Sequence, residues 1–307
     1  MLISVVIPTF NKAPYLRAAL AALRYQTLAR DRFEVVTVVD GSTDETLSLL
    51  EGLRPGYDFR YVWRENGGLA SARNHGAALA RGSHFLFMDD DVLLEPGHLE
   101  HLYQRLQALP LAVHAGSLSN VRVQFVPQIL EWFGFHPPSS FPSLEAYCAP
   151  CTHYDAPKAL FAAGASPAAW WGVFTGGNLC VDRRSYESVG GFDDAFRGWG
   201  PEDADLCYRL FRRGAAGSFD AECRLYHLDH ARDAAETARS TLRNVKRLYR
   251  KHGRLPEVLE YLRFYNGMIS LEDFNNSCAD LYNLPRLSVE PFFSTLRQVT
   301  HHSFGWA

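Results

Sequence analysis

The fold is decided by the segment Ile3–Lys12, which reads ISVVIPTFNK: a short apolar run, a proline, and then polar residues. Two further apolar runs follow at residues 35–39 (VVTVV) and 84–88 (HFLFM), and Phe59–Trp63 is a weaker candidate. Runs this apolar are typical of strands buried on both faces of a parallel sheet. Between them lie helical patterns, in segments 14–25, 44–53 and 69–80. The alternation predicts a Rossmann-like α/β fold with a mainly parallel sheet flanked by helices.

The composition is that of an ordinary globular protein. Of the 307 residues, 47% are hydrophobic and 21% are charged, which excludes a disordered tail protein, a collagen and a coiled coil. The 31 Lys+Arg and 34 Asp+Glu residues give a net charge of −3, so we expect no nucleic acid as a partner. Because no apolar run reaches the roughly 18–20 residues that span a bilayer, we expect a soluble, cytoplasmic chain.

Six cysteines are scattered along the chain, unlike a dense disulfide framework. Cys148 and Cys151 form one CxxC close to His153, but no second pair of ligands follows at the spacing of a zinc site. Structural thiols and a metal or redox site both stay open, and we favour the first.

Two regions differ from the alternating pattern. Residues 117–170 hold many prolines, serines and aromatics without clear periodicity, and we expect an irregular insertion with one or two strands near Val121–Val126. The insertion is either a substrate-facing lid or a purely structural loop. From about Ala234 the pattern is mostly helical to the end of the sequence. The aromatic residues after position 254 would pack on the preceding domain or on a second subunit, so a homo-oligomer stays open; they include Phe264, Tyr265, Phe274, Tyr282, Phe292, Phe293 and Trp306.

Residues 239–251 contain basic but no acidic residues, and apolar residues recur at helical spacing on the other side. This pattern is typical of a helix that packs by its apolar stripe and exposes a basic face. It is also typical of a helix that lies on an anionic membrane surface, here the inner membrane surface. We favour the first interpretation and keep the second as an alternative.

Polar clusters follow the predicted strands, where parallel sheets bind ligands. Asp89, Asp90 and Asp91 come directly after the run that ends at Met88. Three adjacent carboxylates repel each other unless a cation offsets their charge. The triplet therefore predicts either a divalent-cation site or a solvated acidic turn.

A second acidic cluster opens a helix predicted to run to about Arg213. The helix dipole favours acidic residues in the first turn, which is sufficient reason for Glu202, Asp203 and Asp205 to stand there. The preceding turn, Gly198–Gly200 with its tryptophan, favours a substrate site instead. The HLDH segment at 227–230 adds two imidazoles, which are compatible with manganese.

In their order and spacing, these motifs resemble those of the family 2 glycosyltransferases, which have the glycosyltransferase-A fold. The resemblance covers roughly residues 1–230 and rests on VVIPTFN, DGSTDET, NGGLASARNHGAALARG, FMDDD, TGGNLCVDRRSYESVGGFDDAFRGWGPEDADLCYRLFRRG and LYH. The last long block is also similar to metal-dependent galactosyl- and N-acetylgalactosaminyltransferases. The resemblance implies a mixed, mainly parallel sheet. It further implies a catalytic domain over 1–230 and a helical extension over 231–307. The catalytic domain would consist of a nucleotide-binding half (1–116), the insertion (117–170) and an acceptor and catalytic half (171–230).

The resemblance also implies roles for individual residues. It places Pro8, Thr9 and Asp40 at the nucleotide base. Arg73 would lie at the ribose or phosphates, with Asn74 stabilising its turn. Asp89 and Asp90 would lie at the ribose or donor sugar, and Gly177 and Asn178 beside that sugar. It places Trp199 and Glu202 at the acceptor and makes Asp203 the catalytic base, with Glu202 beside it. It makes Asp91 and His227 ligands of Mn²⁺ or Mg²⁺, with His230 competing for the position of His227.

By this resemblance the chain is an inverting, metal-dependent glycosyltransferase. The implied donor is a nucleotide sugar, with a UDP-sugar favoured, and the acceptor is a glycan, a lipid-linked glycan, a natural product or a peptide. A sugar-nucleotidyltransferase and a non-catalytic sugar-nucleotide-binding protein of the same fold are the alternatives. One departure concerns the nucleotide, because Val39 stands where family members often carry an acidic or amide residue before Asp40.

Overall fold

The fold is seen in a computed structural model, which describes residues 2–134, 139–162, 167–252 and 255–279. The strands in this part of the chain are β1 (Ile3–Thr9), β2 (Phe33–Asp40), β3 (Asp58–Arg64), β4 (His84–Met88), β5 (Val92–Leu94), β6 (Val113–Val121), β7 (Cys148–Ala149), β8 (Asn178–Asp182) and β9 (Gly217–Leu228). The α-helices are α1 (Ala13–Ala22), α2 (Thr46–Glu51), α3 (Leu69–Leu79), α4 (His98–Ala108), α5 (Val126–Trp132), α6 (Thr152–Phe161), α7 (Arg183–Ser188), α8 (Glu202–Arg212), α9 (Ala234–His252), α10 (Pro256–Tyr265) and α11 (Leu271–Ala279).

The strands form one mixed sheet in the order β3-β2-β1-β4-β8-β6-β9-β5, with β7 paired to β6. The part from β3 to β4 is parallel, and β6 and β9 also pair in parallel. The strand β8 joins these parts by antiparallel pairing with β4 and β6. The predicted α/β architecture is confirmed, and the strand expected over Phe59–Trp63 is the edge strand β3.

The central strands are buried on both faces, as their apolar runs predict. Alternate residues of β1 serve two cores: Val5 and Ile7 pack with Leu16 of α1, whereas Val6 packs with apolar residues of α3. Burying each such side chain contributes roughly 1.5–3 kcal/mol. The helix α3 approaches closely because Gly76 faces the sheet, where a Cβ atom would lie 2.4 Å from Val6 Cγ1.

The parallel register brings the loops after β1, β2 and β4 to one edge of the sheet. Thr9, the last residue of β1, pairs with Val39 of β2, and β4 lies on the other side of β1. Residues 10–12, 41–44 and 89–91 therefore meet beyond the carboxyl ends of these strands, where open α/β sheets bind ligands.

The region 117–170 is more regular than predicted. The strand expected near Val121–Val126 is wrong, because β6 ends at Val121 and a short 3-10 helix and α5 follow. The helix α6 crosses the second half of the region. Pro127 and Pro157 obscured this pattern, although Pro127 lies in the first turn of α5, where a missing N–H costs nothing.

The helical character expected after Ala234 is confirmed by α9, α10 and α11. Tyr282, Phe292, Phe293 and Trp306 lie outside the described residues. Within the described ranges, no helix combines the length and apolarity that crossing a membrane requires.

Candidate active site

A cavity of about 490 Å³ opens at the carboxyl edge of the parallel strands. This volume is in the range of pockets that bind small molecules. Its lining includes thirteen of the residues to which the sequence analysis gives a role: Pro8, Thr9, Asp40, Arg73, Asp89, Asp90, Asp91, Gly177, Trp199, Glu202, Asp203, His227 and His230. The structure therefore brings together side chains that lie more than 200 positions apart.

The loop after β1 is locked to the loop after β2. Asn11 adopts a left-handed conformation with φ of 52°, which asparagine tolerates better than most residues. Its Oδ1 accepts a hydrogen bond from the backbone N–H of Thr43 at 2.7 Å. Asp44 then accepts from the N–H groups of Ala13 and Thr46, at the start of α1 and α2. These contacts give physical reasons for the asparagine of PTFN and the second aspartate of DGSTD.

Asp40 anchors a third loop at the cavity. Its Oδ1 accepts from the N–H of Gly67 at 2.9 Å, and its Oδ2 accepts from that of Gly68 at 2.8 Å. Arg64 Nε lies 3.2 Å from Oδ1. Both carboxylate oxygens are thus engaged by the chain itself, so the expected contact of Asp40 with a base would have to share them.

Arg73 forms a buried bridge between the two acidic motifs. Its Nη2 lies 2.7 Å from Asp89 Oδ1, and its Nη1 lies 3.2 Å from Glu202 Oε1. The side chain is only 2% exposed but lines the cavity, and its expected contact with the ribose or phosphates stays a prediction. The burial tends to lower the pKa of Arg73, but the two carboxylates outweigh it and raise that pKa above its ordinary value.

The two glycines of TGGN make room for this bridge. A Cβ atom on Gly176 would lie 2.5 Å from Arg73 Nη1, and one on Gly177 would lie 2.4 Å from Asp89 Oδ2. A larger residue at position 176 would displace the buried Arg73 guanidinium, and one at position 177 would displace the carboxylate of Asp89.

Glu202 and Asp203 form a carboxyl pair at the beginning of α8. Asp203 Oδ2 accepts from the N–H of Gly176 at 3.0 Å, and Glu202 Oε2 is buried without a hydrogen-bond partner. Burial, and next to it the neighbouring charge of Asp203, raises the pKa of Glu202 to about 8. Burial also raises the pKa of Asp203, against the hydrogen bond from Gly176 and the charge of Arg73. This half-buried carboxylate in a cleft has the features of a general base.

The turn with Trp199 is held by α9. Asn244 Nδ2 donates to the backbone oxygens of Arg197 at 3.0 Å and Trp199 at 2.9 Å, and the N–H of Trp199 donates to Ser240 Oγ at 3.2 Å. Gly200 is required here because a Cβ atom would lie 2.5 Å from Asn244 Cβ. The helix α9 therefore fixes the turn that precedes the carboxyl pair.

Part of the basic face of α9 is used inside the fold. Arg247 and Lys251 each lie 2.9 Å from the carboxylate of Asp193, and Lys251 also lies 2.9 Å from that of Asp205. These pairs favour the interpretation of α9 as a packed helix. A contact of its remaining basic residues with a membrane surface stays a prediction.

Asp91 lies at the other end of the cavity with two imidazoles. One ligand atom each from Asp91, His227 and His230 falls within 4.8 Å of the others, which makes them a candidate metal centre. Asp91 Oδ1 is buried without a hydrogen-bond partner. Burial alone would raise the pKa of Asp91, but the neighbouring His227 and Lys12 lower it well below its ordinary value.

His227 is oriented as metal ligands usually are. Asn120 Oδ1 lies 2.8 Å from its Nδ1, which assigns the proton to Nδ1 and turns the Nε2 lone pair toward Asp91 and Arg232. Burial lowers the pKa of His227 despite the nearby Asp91 carboxylate, so the neutral form that binds metals is favoured. Burial likewise raises the pKa of Asp90 to about 7.

Asn178 is not brought to the cavity. Its Oδ1 accepts from the N–H of Gly116 at 3.1 Å, and its Nδ2 donates to the oxygen of the same residue at 2.7 Å. Both ends of the amide thus hold β8 to β6, so the expected contact with the donor sugar is not supported. Asn74, in contrast, has its expected structural role and bridges α3 to both the N–H and the oxygen of Phe192.

Several side chains of the cavity were not predicted from the sequence, among them Lys12, His153 and Tyr154. Lys12 Nζ lies 2.5 Å from Asp91 Oδ2, although it belongs to the first polar cluster. His153 and Tyr154 line the cavity from the first turn of α6, and the Tyr154 ring lies 5.4 Å from that of His227. The only signal for the last two was their place next to CAPC. Cys148 and Cys151 are free thiols, and no group of three possible metal ligands in the described ranges includes them.

Two protein families match the sequence. Residues 4–142 match glycosyl transferase family 2, and residues 160–231 match the N-terminal domain of galactosyltransferase. The two segments contain the acidic triplet and the carboxyl pair, respectively.

Curated relatives extend the similarity along the chain. A validoxylamine A glucosyltransferase from Streptomyces hygroscopicus subsp. jinggangensis (strain 5008) is 31% identical over 282 residues, covering 84% of this chain and 63% of that protein. An uncharacterized glycosyltransferase of Rickettsia prowazekii (strain Madrid E) is 27% identical over 255 residues, covering 81% of this chain and 70% of that protein. The chain spans 63% and 58% of the lengths of two validoxylamine A glucosyltransferases.

Solved structures with little sequence identity share the fold. S. aureus TarS has a TM-score of 0.59 and 16% identity, with 99% of this chain and 81% of that chain covered. The mannosyltransferase PcManGT from Pyrobaculum calidifontis, in complex with GDP-Man and Mn²⁺, has a TM-score of 0.59 and 17% identity, with 98% and 81% covered. The chain therefore has the glycosyltransferase-A fold, and its residues 4–142 match the family 2 glycosyltransferases.

Proposed function

We propose that the chain transfers a sugar from a nucleoside diphosphate donor to an acceptor hydroxyl, in a metal-dependent reaction that inverts the anomeric carbon. One observation carries the proposal. The candidate metal centre at Asp91 and the carboxyl pair at Asp203 face the same cavity, and the bridge from Asp89 through Arg73 to Glu202 connects them. Such a cavity can hold a diphosphate at one end and an acceptor at the other.

The donor would lie along the loops after β1, β2 and β4. Phe10 lines the cavity and is 49% exposed, so its ring offers a surface on which a base can stack. Structural neighbours were solved with UDP, with UDP-GlcNAc and with GDP-Man, which supports a nucleotide-sugar donor. Within that class we propose a UDP-sugar first.

The divalent cation would be held by Asp91 and His227, with His230 as a third ligand. Asp91 Oδ2 faces both imidazoles, 3.7 Å from His227 Nε2 and 3.1 Å from His230 Nε2, and Asn120 orients the His227 ring, so this donor set fits such a cation. When bound, Mn²⁺ or Mg²⁺ supplies Lewis-acid stabilisation of the negative charge on the leaving diphosphate.

The carboxylate of Asp203 would accept the proton of the acceptor hydroxyl. The acceptor oxygen forms its bond to the anomeric carbon as the bond from that carbon to the diphosphate oxygen breaks, and the electron pair leaves with the diphosphate. The hydrogen bond from Gly176 orients the carboxylate, and burial keeps its pKa raised, which strengthens it as a base. Glu202 and Trp199 would contact the acceptor beside it.

The acceptor would enter past α6, whose His153 and Tyr154 line the cavity between its two ends. A relative whose alignment covers 84% of this chain is named validoxylamine A glucosyltransferase. We therefore propose a natural-product acceptor as the first class to test, ahead of glycan, lipid-linked and peptide acceptors.

The test is an assay of nucleoside diphosphate release from UDP-glucose, UDP-GlcNAc, UDP-galactose and GDP-mannose, with acceptors of each class and with Mn²⁺ or EDTA. We expect one donor to be consumed in a reaction that needs the metal and the acceptor and is lost in Asp91→Asn. Asp194→Asn, a change at an exposed aspartate, serves as the matched control. Nucleoside diphosphate release that is as fast in EDTA, or in Asp91→Asn, as in the wild type with Mn²⁺ would refute metal dependence. A product that retains the configuration of the anomeric carbon would refute the single displacement.

A further inference from the structure

Lys12 lies at the candidate metal centre as a cation of the chain itself. Its Nζ is 2.5 Å from Asp91 Oδ2 and 2.8 Å from His230 Nε2. Asp90 Oδ1 lies 3.5 Å from the same ammonium. The two nearest partners of the ammonium are thus two of the three residues that would hold a divalent cation.

The ammonium of Lys12 lies between Asp91 Oδ2 and His230 Nε2, in the place that a metal bound to both atoms would take. A metal bound at carboxylate oxygens lies about 2.0–2.6 Å from them, which is the separation that the ammonium already has from Oδ2. A metal and the ammonium cannot occupy this place together, because they would overlap and their positive charges would repel. A metal that binds both Asp91 Oδ2 and His230 Nε2 must therefore displace Lys12.

The position of Lys12 makes such a displacement feasible. It precedes α1 and follows Asn11, so the backbone is fixed while the side chain, which is 26% exposed, reaches into the cavity. A lysine has a flexible four-carbon stem and retains its charge in water, so the ammonium can swing away from Asp91. The open cavity beside it is where the diphosphate of a donor would lie.

We propose that the Lys12 ammonium neutralises Asp91 when no metal is bound and competes with the divalent metal for this site. When the metal binds, the ammonium moves to the diphosphate of the donor. This inference rests on the proposed metal-dependent function. The competition makes metal binding weak in the absence of donor, because Asp91 is already neutralised. A bound diphosphate offers the displaced ammonium a new anionic partner, so donor and metal bind together.

The test is a titration of the nucleotide-free full chain with Mn²⁺, followed by calorimetry and by the electron paramagnetic resonance signal of free Mn²⁺. We expect Lys12→Met to bind Mn²⁺ about tenfold more tightly than the wild type, or better. Lys12→Arg keeps a competing charge and should bind Mn²⁺ as the wild type does. Lys158→Met removes an exposed lysine of α6 and controls for the change in net charge.

Thermal unfolding of each variant verifies that it folds, and Lys12→Gln replaces Lys12→Met if the latter does not. Equal or weaker Mn²⁺ binding by the folded neutral variant would overturn the role of Lys12 while leaving the proposed function intact. Mn²⁺ binding by neither protein would overturn the proposed metal centre as well. Tighter binding that persists in a variant combining Lys12→Met with Asp91→Asn would also overturn the inference, because the competition would not take place at Asp91.

Discussion

Replacing Asp203 with asparagine removes the proposed base while keeping the shape of the side chain. A positioned general base typically accelerates a reaction by about 10²–10⁴-fold, so we expect kcat to fall by that factor. The structural cost is small. In the wild type, Asp203 accepts hydrogen bonds from the N–H groups of Gly176 at 3.0 Å and Ala204 at 2.7 Å. An asparagine oxygen can keep one of them, and the lost bond costs about 1–2 kcal/mol.

The assay compares kcat, donor affinity and the melting temperature of Asp203→Asn with those of the wild type and of Asp194→Asn. A cost of this size lowers the melting temperature of a chain of this length by only a few degrees. Donor affinity should stay within about twofold, since the change leaves the Arg73 bridge intact and twofold is below about 0.5 kcal/mol. The signature of a lost base is therefore a large fall in kcat with an unchanged Kd for the nucleotide.

Two results would contradict a base at this position. Turnover within about tenfold of the wild type would remove Asp203 from the base role. A loss of nucleotide affinity as large as the loss of kcat would show that the residue organises the cavity and does not act in the proton transfer.

Three further predictions concern the neighbours of this base. Burial raises the pKa of Glu202 to about 8, so the folded state favours the protonated carboxyl group. The stability that this group contributes is complete below about pH 4.5 and is lost as the pH rises to about 8. The free energy of unfolding in denaturant should therefore fall over this pH window, and the fall should be smaller in Glu202→Gln. Asn244→Ala removes the donor to the backbone oxygen of Trp199, whereas Arg243 still donates to that of Arg197. It should cost about 1 kcal/mol in denaturant unfolding and lower kcat with little change in the Kd for the nucleotide; equal kcat would exclude a positioning role for α9. His227 is buried and Asn120 fixes its ring, so His227→Ala should weaken Mn²⁺ binding in calorimetry more than His230→Ala does. The reverse order would make His230 the main imidazole ligand.

Local chemistry made the strands and their end loops predictable. The apolar runs that became β1, β2 and β4 are buried along their whole length, and apolar runs of this length between turn residues are typical of such strands. The clusters after these strands had to meet because parallel strands share their carboxyl edge. The cavity therefore contains nearly all of the residues expected from the motifs.

Tertiary contacts decide the features that could not be predicted from the sequence. The ion pairs of Arg73 with Asp89 and Glu202 could not be predicted, because Glu202 lies 129 positions away in the sequence. Asn178 was expected at the sugar, but it bonds to Gly116 of β6, a pairing that no local pattern indicates. Lys12 was missed because a lysine before a helix is ordinary, and only the fold brings it to Asp91.

Nucleotide binding measured by calorimetry in Mn²⁺ and in EDTA tests the metal-dependent donor site most directly. UDP, GDP and dTDP would be titrated into the wild type and into Asp91→Asn. We expect one of them to bind the wild type at least about tenfold more tightly in Mn²⁺ than in EDTA, and Asp91→Asn to remove this difference. Binding that is equally strong in EDTA, or unchanged in the variant, would contradict a metal-dependent donor site at the carboxyl edge of the sheet.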